Sequence, residues 1–252
     1  MKKKAIIVSI KGIKLTSKEK LLIAREKPWG LILFTRNIKS YDQIKNLIKN
    51  IRKCAKDKNF PILIDEEGGK VSRLQNILNH NISAAYFGSF YKIDKKMAIN
   101  LYMNYLKSLS DKLLEIGINV NTIPVLDVLR NNTNSIIGDR SFSKHKKIVK
   151  ELGRIAIKVS HSKKIISVIK HIPGHGCSAQ DSHLSTPKVN LNKKILNKID
   201  FYPFKSTSAK LAMTAHIIYS KIDSKNVSTF SKKIIKEIIR KKIGYKGILM
   251  SD

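Results

Sequence analysis

The sequence is poor in cysteine and in long apolar runs, and each shortage excludes a class of protein. Two cysteines among 252 residues are too few for a disulfide framework. No apolar run approaches the roughly 20 residues that a membrane-spanning helix needs. The run at 5–10, which follows the N-terminal lysines, is too short for a secretory signal. The sequence therefore predicts a cytoplasmic protein with no membrane partner.

Acidic residues are also scarce: 18 stand against 50 basic ones, which gives a formal net charge of +32. Such an excess is one mark of a nucleic-acid-binding protein. However, the lysines are spread along the whole chain, with no dense basic tract and no basic stretch interleaved with aromatic residues. We therefore expect no nucleic-acid partner, and a basic nucleic-acid-associated protein is the weakest alternative.

The chain contains short apolar runs that alternate with longer amphipathic ones, and 42% of its residues are hydrophobic. The short runs predict strands at 5–10, 30–34, 61–65, 118–127, 165–171, 211–216 and 247–252. The longer ones predict helices at 41–56, 95–116, 144–163 and 232–243. Strands that alternate with helices are typical of a parallel sheet or barrel. The pattern indicates no particular oligomeric state.

Polar residues follow the apolar core of six of these strands, at 35–37, 65–67, 127, 170–171, 216 and 251–252. In a (β/α)8 barrel such ends converge on one face, where the active site is built. A doubly wound sheet would spread them along a line. The pattern therefore favours an α/β fold of the TIM-barrel type. Because seven strands are predicted and eight are needed, we expect one domain over 1–252, truncated after the seventh strand.

The densest polar cluster lies at 170–183, where the chain reads Lys-His-Ile-Pro-Gly-His-Gly before Asp181 and His183. One interpretation is a metal site formed by His171, His175 and Asp181, with a thiolate from Cys177. The other is that His183 is a general acid/base that Asp181, two residues earlier, orients and makes more basic. The ligand spacing favours the second, so we predict no metal.

Other strand ends carry candidate ligands for a substrate. Asp65 precedes two glycines and could accept hydrogen bonds from a polyol, or could belong to an ordinary acidic turn. Arg73, Arg140 and Lys170 are cations that could grip hydroxyls or carboxylates, or could be surface charges. Asp252 is a candidate nucleophile, or a frayed end.

Together these motifs resemble the catalytic domain of glycoside hydrolase family 3, in its bacterial β-N-acetylhexosaminidase branch. The resemblance covers almost the whole chain. It rests, in the family's order, on residues 31–37, 64–69, 124–127, 138–142, 170–183, 214–216 and 251–252. The Asp-Ser-His triplet at 181–183 distinguishes this branch from the β-glucosidases of the family.

The resemblance implies a retaining hydrolase without a cofactor. His183 would be the acid/base, assisted by Asp181, and Asp252 the nucleophile. An Asp–His dyad then replaces the second carboxyl group of the usual scheme. The residues that would hold a terminal N-acetylglucosamine are Asp65, Arg73, Arg140, Lys170 and His171. The implied substrate is a muropeptide fragment, N-acetylglucosamine linked to anhydro-N-acetylmuramic acid, processed during cytoplasmic cell-wall recycling.

The sequence departs from the family at Asp252, after which family members continue with further helices and an eighth strand. We expect that these 252 residues, expressed alone, are aggregation-prone and essentially inactive, and that a chain extended through the eighth strand recovers both solubility and N-acetylglucosaminidase activity. The alternative function is an inactive sugar-binding remnant that keeps Asp65, Arg73, Lys170 and His171.

Overall fold

The computed structural model describes residues 3–79, 81–179 and 186–252. This part of the chain contains nine strands: β1 Lys4–Val8, β2 Pro28–Leu33, β3 Ile62–Ile64, β4 Val120–Asn121, β5 Ile166–Ile172, β6 Lys188–Val189, β7 Leu211–Thr214, β8 Ile218–Tyr219 and β9 Ile248–Met250. Seven of them form one curled parallel sheet in the order β1-β2-β3-β4-β5-β7-β9, while β6 and β8 pair separately. Strand order equal to chain order confirms the predicted barrel-type fold.

The helices cover the outside of the sheet: α1 Ser17–Glu26, α2 Tyr41–Ala55, α3 Ala84–Ile93, α4 Lys95–Ile116, α5 Lys146–Ser162 and α6 Lys193–Lys198, followed by a π-helix at Ile234–Ile243. α2 shows why the pattern folds this way. Ser40 caps its first turn, and its buried face consists of isoleucines and a leucine spaced three or four residues apart. No helix in the described ranges is long and apolar enough to cross a membrane.

The inside of the curled sheet is a second apolar layer, formed by alternate residues of the strands. Leu63, Val120, Val168, Leu211 and Met213 pack together there. Their neighbours along the strands pack outward against the helices. Since both faces of the sheet are covered, the strands read as continuous apolar runs, and the polar residues collect at the strand ends.

Three helices and the small β6–β8 sheet were not predicted. α1 carries a sequence signal, since the Thr16 and Glu19 side chains form a capping box at its start. The predicted strand at 118–127 is also shorter than expected. Beyond Asn121 the chain is irregular, with Leu126 N donating to Lys170 O and Lys170 N donating to Pro124 O. Proline lacks the N–H that a regular ladder requires.

Gly88 brings α3 into direct contact with the segment that carries Arg140. A Cβ added to Gly88 would lie 1.6 Å from the carbonyl oxygen of Phe142. Alanine would favour the helix by about 1 kcal/mol, but overpacking against backbone costs about 1–3 kcal/mol or more. We expect Gly88→Ala to lower the free energy of unfolding by about 2 kcal/mol, measured by urea denaturation. The matched control is Gly12→Ala, since an added Cβ there meets nothing within 4 Å. Equal stability of the two variants would contradict this packing.

Candidate active site

A cleft of about 830 Å³ opens at the carboxyl ends of the strands. It is lined by all six described residues that the sequence marked as substrate ligands or nucleophile: Asp65, Arg73, Arg140, Lys170, His171 and Asp252. Asp181 and His183 lie outside the described residues. Glu67 and His175 also line the cleft, although the sequence did not mark them as substrate ligands.

Asp65 follows β3 and is held by three groups. Lys170 Nζ lies 3.1 Å from its Oδ1, the Thr122 hydroxyl donates to the same oxygen, and Arg73 Nη2 lies 3.7 Å from Oδ2. Burial would raise the pKa of Asp65, but the charge of Lys170 and the hydrogen bonds outweigh burial and hold that pKa well below its usual value. The carboxylate is therefore ionised across the neutral pH range.

Glu67 forms ion pairs with two cations of the cleft, Arg140 and Lys170. Arg140 donates to it through Nε at 2.8 Å and through Nη2 at 2.9 Å, a bidentate pair, and Lys170 Nζ lies 2.5 Å from Oε1. Burial acts to raise the pKa of Glu67, yet the charges of Lys170 and Arg140 lower it overall. The arrangement makes Glu67 a bridge between β5 and the loop that carries Arg140.

Glu66 points away from the cleft, since adjacent residues of an extended chain face opposite sides. Its Oε2 accepts hydrogen bonds from the backbone N–H groups of Arg73 and Leu74, both at 2.8 Å. Its own N–H donates to Asn121 Oδ1. Glu66 therefore shapes the turn that returns Arg73 to the cleft, whereas Asp65 and Glu67 face the cleft itself.

Asp127 is fully buried and fixes His171. Its Oδ2 lies 2.6 Å from His171 Nδ1, and its Oδ1 accepts from the His175 backbone N–H at 2.6 Å. Burial would raise the pKa of Asp127, but its interactions with His171 and His175 lower it. An ionised partner at Nδ1 places the ring proton there and leaves Nε2 to other partners. The sequence marked Asp127 as a strand end but not as a site residue.

The turn after β5 is fixed by hydrogen bonds to the carbonyl oxygens of its two glycines, Gly174 and Gly176. Tyr219 donates its hydroxyl to Gly174 O at 2.5 Å, and Thr133 donates to Gly176 O at 2.5 Å. A Cβ on Gly176 would lie 2.0 Å from the carbonyl oxygen of Val128. Only glycine fits there, and the turn places His175 against His171, with ring centroids 5.6 Å apart.

The same turn bears on the metal interpretation. Asp127 engages His171 Nδ1, so only Nε2 of that ring is left for another partner. Within residues 3–79, 81–179 and 186–252, no group of three His, Cys, Asp or Glu side chains is arranged to hold a metal ion.

Asp252 follows β9, whose Met250 carbonyl accepts from the Thr214 hydroxyl at 3.2 Å. This bond ties the end of β9 to β7. Asp252 is exposed to the cleft. Burial and the nearby His171 lower the pKa of His175, and the carboxylate of Asp252 is close enough to oppose that shift.

The family follows from a comparison of the whole chain with known sequences. The sequence model of the glycosyl hydrolase family 3 N-terminal domain matches residues 2–252. The chain belongs to glycosyl hydrolase family 3. The predicted family resemblance is therefore confirmed over nearly all of the chain.

Two relatives of this family 3 chain are both named as beta-hexosaminidases. It is 32% identical over 252 residues to beta-hexosaminidase of Haemophilus influenzae, covering 98% of this chain and 70% of that protein. It is also 32% identical to beta-hexosaminidase A of Pseudoalteromonas piscicida, with 92% of this chain matching 42% of that longer protein. The predicted hexosaminidase branch of the family is thereby confirmed.

The fold comparison agrees. The crystal structure of NagZ from Neisseria gonorrhoeae in complex with N-trifluoroacetyl-D-glucosamine superimposes with a TM-score of 0.91 at 28% sequence identity. The match covers 99% of this chain and 74% of that chain. A family 3 barrel domain of the NagZ type is therefore the architecture that this sequence adopts.

Asp127 provides a direct test of how the family 3 site is held. Asparagine keeps an acceptor for the His175 amide but removes the charge opposite His171 Nδ1. We expect Asp127→Asn to lower kcat/KM for a glycoside substrate about 10- to 100-fold, the equivalent of one hydrogen bond to a charged group. The control is Asp111→Asn, which removes a surface carboxylate paired with Lys163. Unchanged kcat/KM in Asp127→Asn would show that His171 needs no charged partner at Nδ1.

Proposed function

We propose that residues 1–252 act as one catalytic domain of a retaining β-N-acetylhexosaminidase, which releases terminal β-linked N-acetylglucosamine. The observation that carries the proposal is the single cleft in which Asp65, Arg140, Lys170, His171 and Asp252 meet. The NagZ structure with a TM-score of 0.91 holds an N-acylated glucosamine, which supports an N-acetylglucosamine subsite here.

The sugar subsite consists of Glu67 and its two cationic partners, Arg140 and Lys170. Asp65, Arg73 and His171 complete it. Ionised Asp65 accepts hydrogen bonds from sugar hydroxyls. Guanidinium groups donate in a planar fork. Arg140 uses two of its N–H groups on Glu67 and a third on the carbonyl of Ile136, and its other two N–H groups are available to the sugar. This mixture of acceptors and donors matches a polyol, in which every hydroxyl both donates and accepts.

Hydrolysis proceeds by two displacements at the anomeric carbon. In the first, the Asp252 carboxylate forms a bond to that carbon while the glycosidic bond breaks, and His183 gives its proton to the departing oxygen. In the second, His183 takes a proton from water, the water oxygen bonds to the same carbon, and Asp252 is released as a carboxylate. Asp181 orients His183 in both steps.

The specific substrate in this proposal is a muropeptide fragment, N-acetylglucosamine joined to anhydro-N-acetylmuramic acid. The corresponding cellular role is cytoplasmic cell-wall recycling. The names of the relatives, beta-hexosaminidases of bacteria, support a carbohydrate partner of this kind. The roles assigned to protein side chains account for both displacements without a cofactor or a metal.

The test is hydrolysis of a chromogenic N-acetyl-β-glucosaminide beside the corresponding β-glucoside. The proposal predicts turnover of the first and little or none of the second. Preference for the β-glucoside would place the chain in another branch of the family. Binding of N-acetylglucosamine without turnover of either substrate would support the sugar-binding remnant instead.

A further inference from the structure

We propose that Thr122 is a positioning residue that decides which oxygen of Asp65 meets the sugar. This inference rests on the proposed function and deepens it, since it names the acceptor atom that recognises a hydroxyl of the substrate. Thr122 is fully buried just beyond β4, so it acts through the groups that it holds.

The direction of the hydrogen bonds around Thr122 follows from elementary chemistry. Lys170 Nζ lies 2.8 Å from Thr122 Oγ1, and an ammonium group can only donate. The hydroxyl therefore accepts from Lys170, and its single hydrogen is given to Asp65 Oδ1. Thr122 thus relays the charge of Lys170 to one defined oxygen of Asp65.

The consequence is an asymmetric carboxylate. Asp65 Oδ1 receives hydrogen bonds from both Thr122 and Lys170, the latter at 3.1 Å. Among the described residues, Oδ2 faces only Arg73 Nη2, at 3.7 Å, which is longer than a hydrogen bond. Oδ2 is therefore the oxygen that accepts a hydrogen bond from a sugar hydroxyl in the cleft.

Lys170 contributes to recognition by orientation. Its three N–H groups have three protein acceptors within reach: Asp65 Oδ1, Thr122 Oγ1 and, at 2.5 Å, Glu67 Oε1. The ammonium group therefore holds two carboxylates at a fixed separation. Thr122 completes this set from a rigid position, because its own backbone N–H donates to Ile64 O at 3.0 Å.

The experiment compares Thr122→Val with Thr122→Ser. Valine has nearly the shape of threonine but lacks the hydroxyl, so Asp65 can rotate and one N–H of Lys170 loses its acceptor. We expect Thr122→Val to raise KM for the N-acetyl-β-glucosaminide, and Kd for N-acetylglucosamine, about tenfold, the effect of one hydrogen bond to a charged group. We expect kcat to change less, and Thr122→Ser to restore both constants to within about threefold.

Two further measurements separate positioning from general stability. Lys170 lowers the pKa of Asp65 more than Thr122 does, so Asp65 stays ionised at neutral pH without Thr122, and the rise in KM in Thr122→Val should be the same throughout the neutral pH range. The matched control is Ser167→Ala on β5, a buried hydroxyl that has no hydrogen-bond partner among the described residues. Its removal should leave KM and the pH profile unchanged. Thr122→Ala, which is smaller, serves where valine destabilises the fold.

Each result decides the question. Wild-type KM in Thr122→Val and Thr122→Ala, or equal impairment of Thr122→Ser, would overturn the positioning role. An unmodified protein that neither hydrolyses the N-acetyl-β-glucosaminide nor binds N-acetylglucosamine would overturn the proposed function, and with it the inference, before any variant is compared.

Discussion

Replacement of Asp252 by alanine is expected to lower kcat for an N-acetyl-β-glucosaminide by on the order of 10⁴-fold or more, the scale seen when a hydrolase loses its covalent nucleophile. The physical reason is that no other described carboxylate in the cleft is free to attack the anomeric carbon. Asp65 and Glu67 are each held by two cations. Asp252 is exposed to the cleft beside His171 and His175.

Azide distinguishes a nucleophile from a residue that merely shapes the cleft. In Asp252→Ala the small anion can enter the vacated space and attack the anomeric carbon directly. We expect azide to restore turnover of a substrate with an activated leaving group and to produce the α-glycosyl azide, because one displacement inverts the configuration that two displacements retain. A β-configured product, or near-normal turnover without azide, would exclude Asp252 as the nucleophile.

Replacement of His183 by alanine is expected to slow turnover of a natural sugar leaving group by about 10²–10⁴-fold, as is typical for the loss of a positioned proton donor. An activated aryl leaving group departs without protonation, so its first displacement should be affected much less. The measurement is kcat/KM for a disaccharide and for an aryl glycoside in the same variant.

Asp181→Asn provides the companion variant for His183. An asparagine can still orient the ring, but it does not make the histidine more basic. We expect a smaller loss than in His183→Ala, with the same dependence on the leaving group. Equal losses on both substrates in His183→Ala would remove this histidine from the proton-transfer step.

The positions of the strand ends could be predicted from the sequence because burial and chemistry change abruptly there. Asp65 follows Ile62–Ile64, and Lys170 and His171 end a run of isoleucine and valine, so each change marks the exit from the core. In a parallel barrel these exits share one face. That single rule places Asp65, Lys170, His171 and Asp252 in one cleft.

The partners of these side chains could not be predicted in the same way. Glu67 meets Arg140 across 73 residues of sequence, and His171 meets Asp127 across 44. Local periodicity reports which face of a strand a residue occupies, but not which distant side chain it will contact. Glu66 and Glu67 are identical in type and adjacent, yet one supports a turn and the other joins two cations.

The double attachment of Glu67 limits how this cleft can change during evolution. Loss of Glu67 would leave Arg140 and Lys170 buried without their shared partner, and an unpaired buried charge costs more than the intact pair contributes. Neutral drift at position 67 is therefore blocked unless position 140 changes as well. We expect tolerated substitutions at Glu67 and Arg140 to occur in concert, so that a library randomised at both positions should yield stably folded combinations that neither single-site library contains.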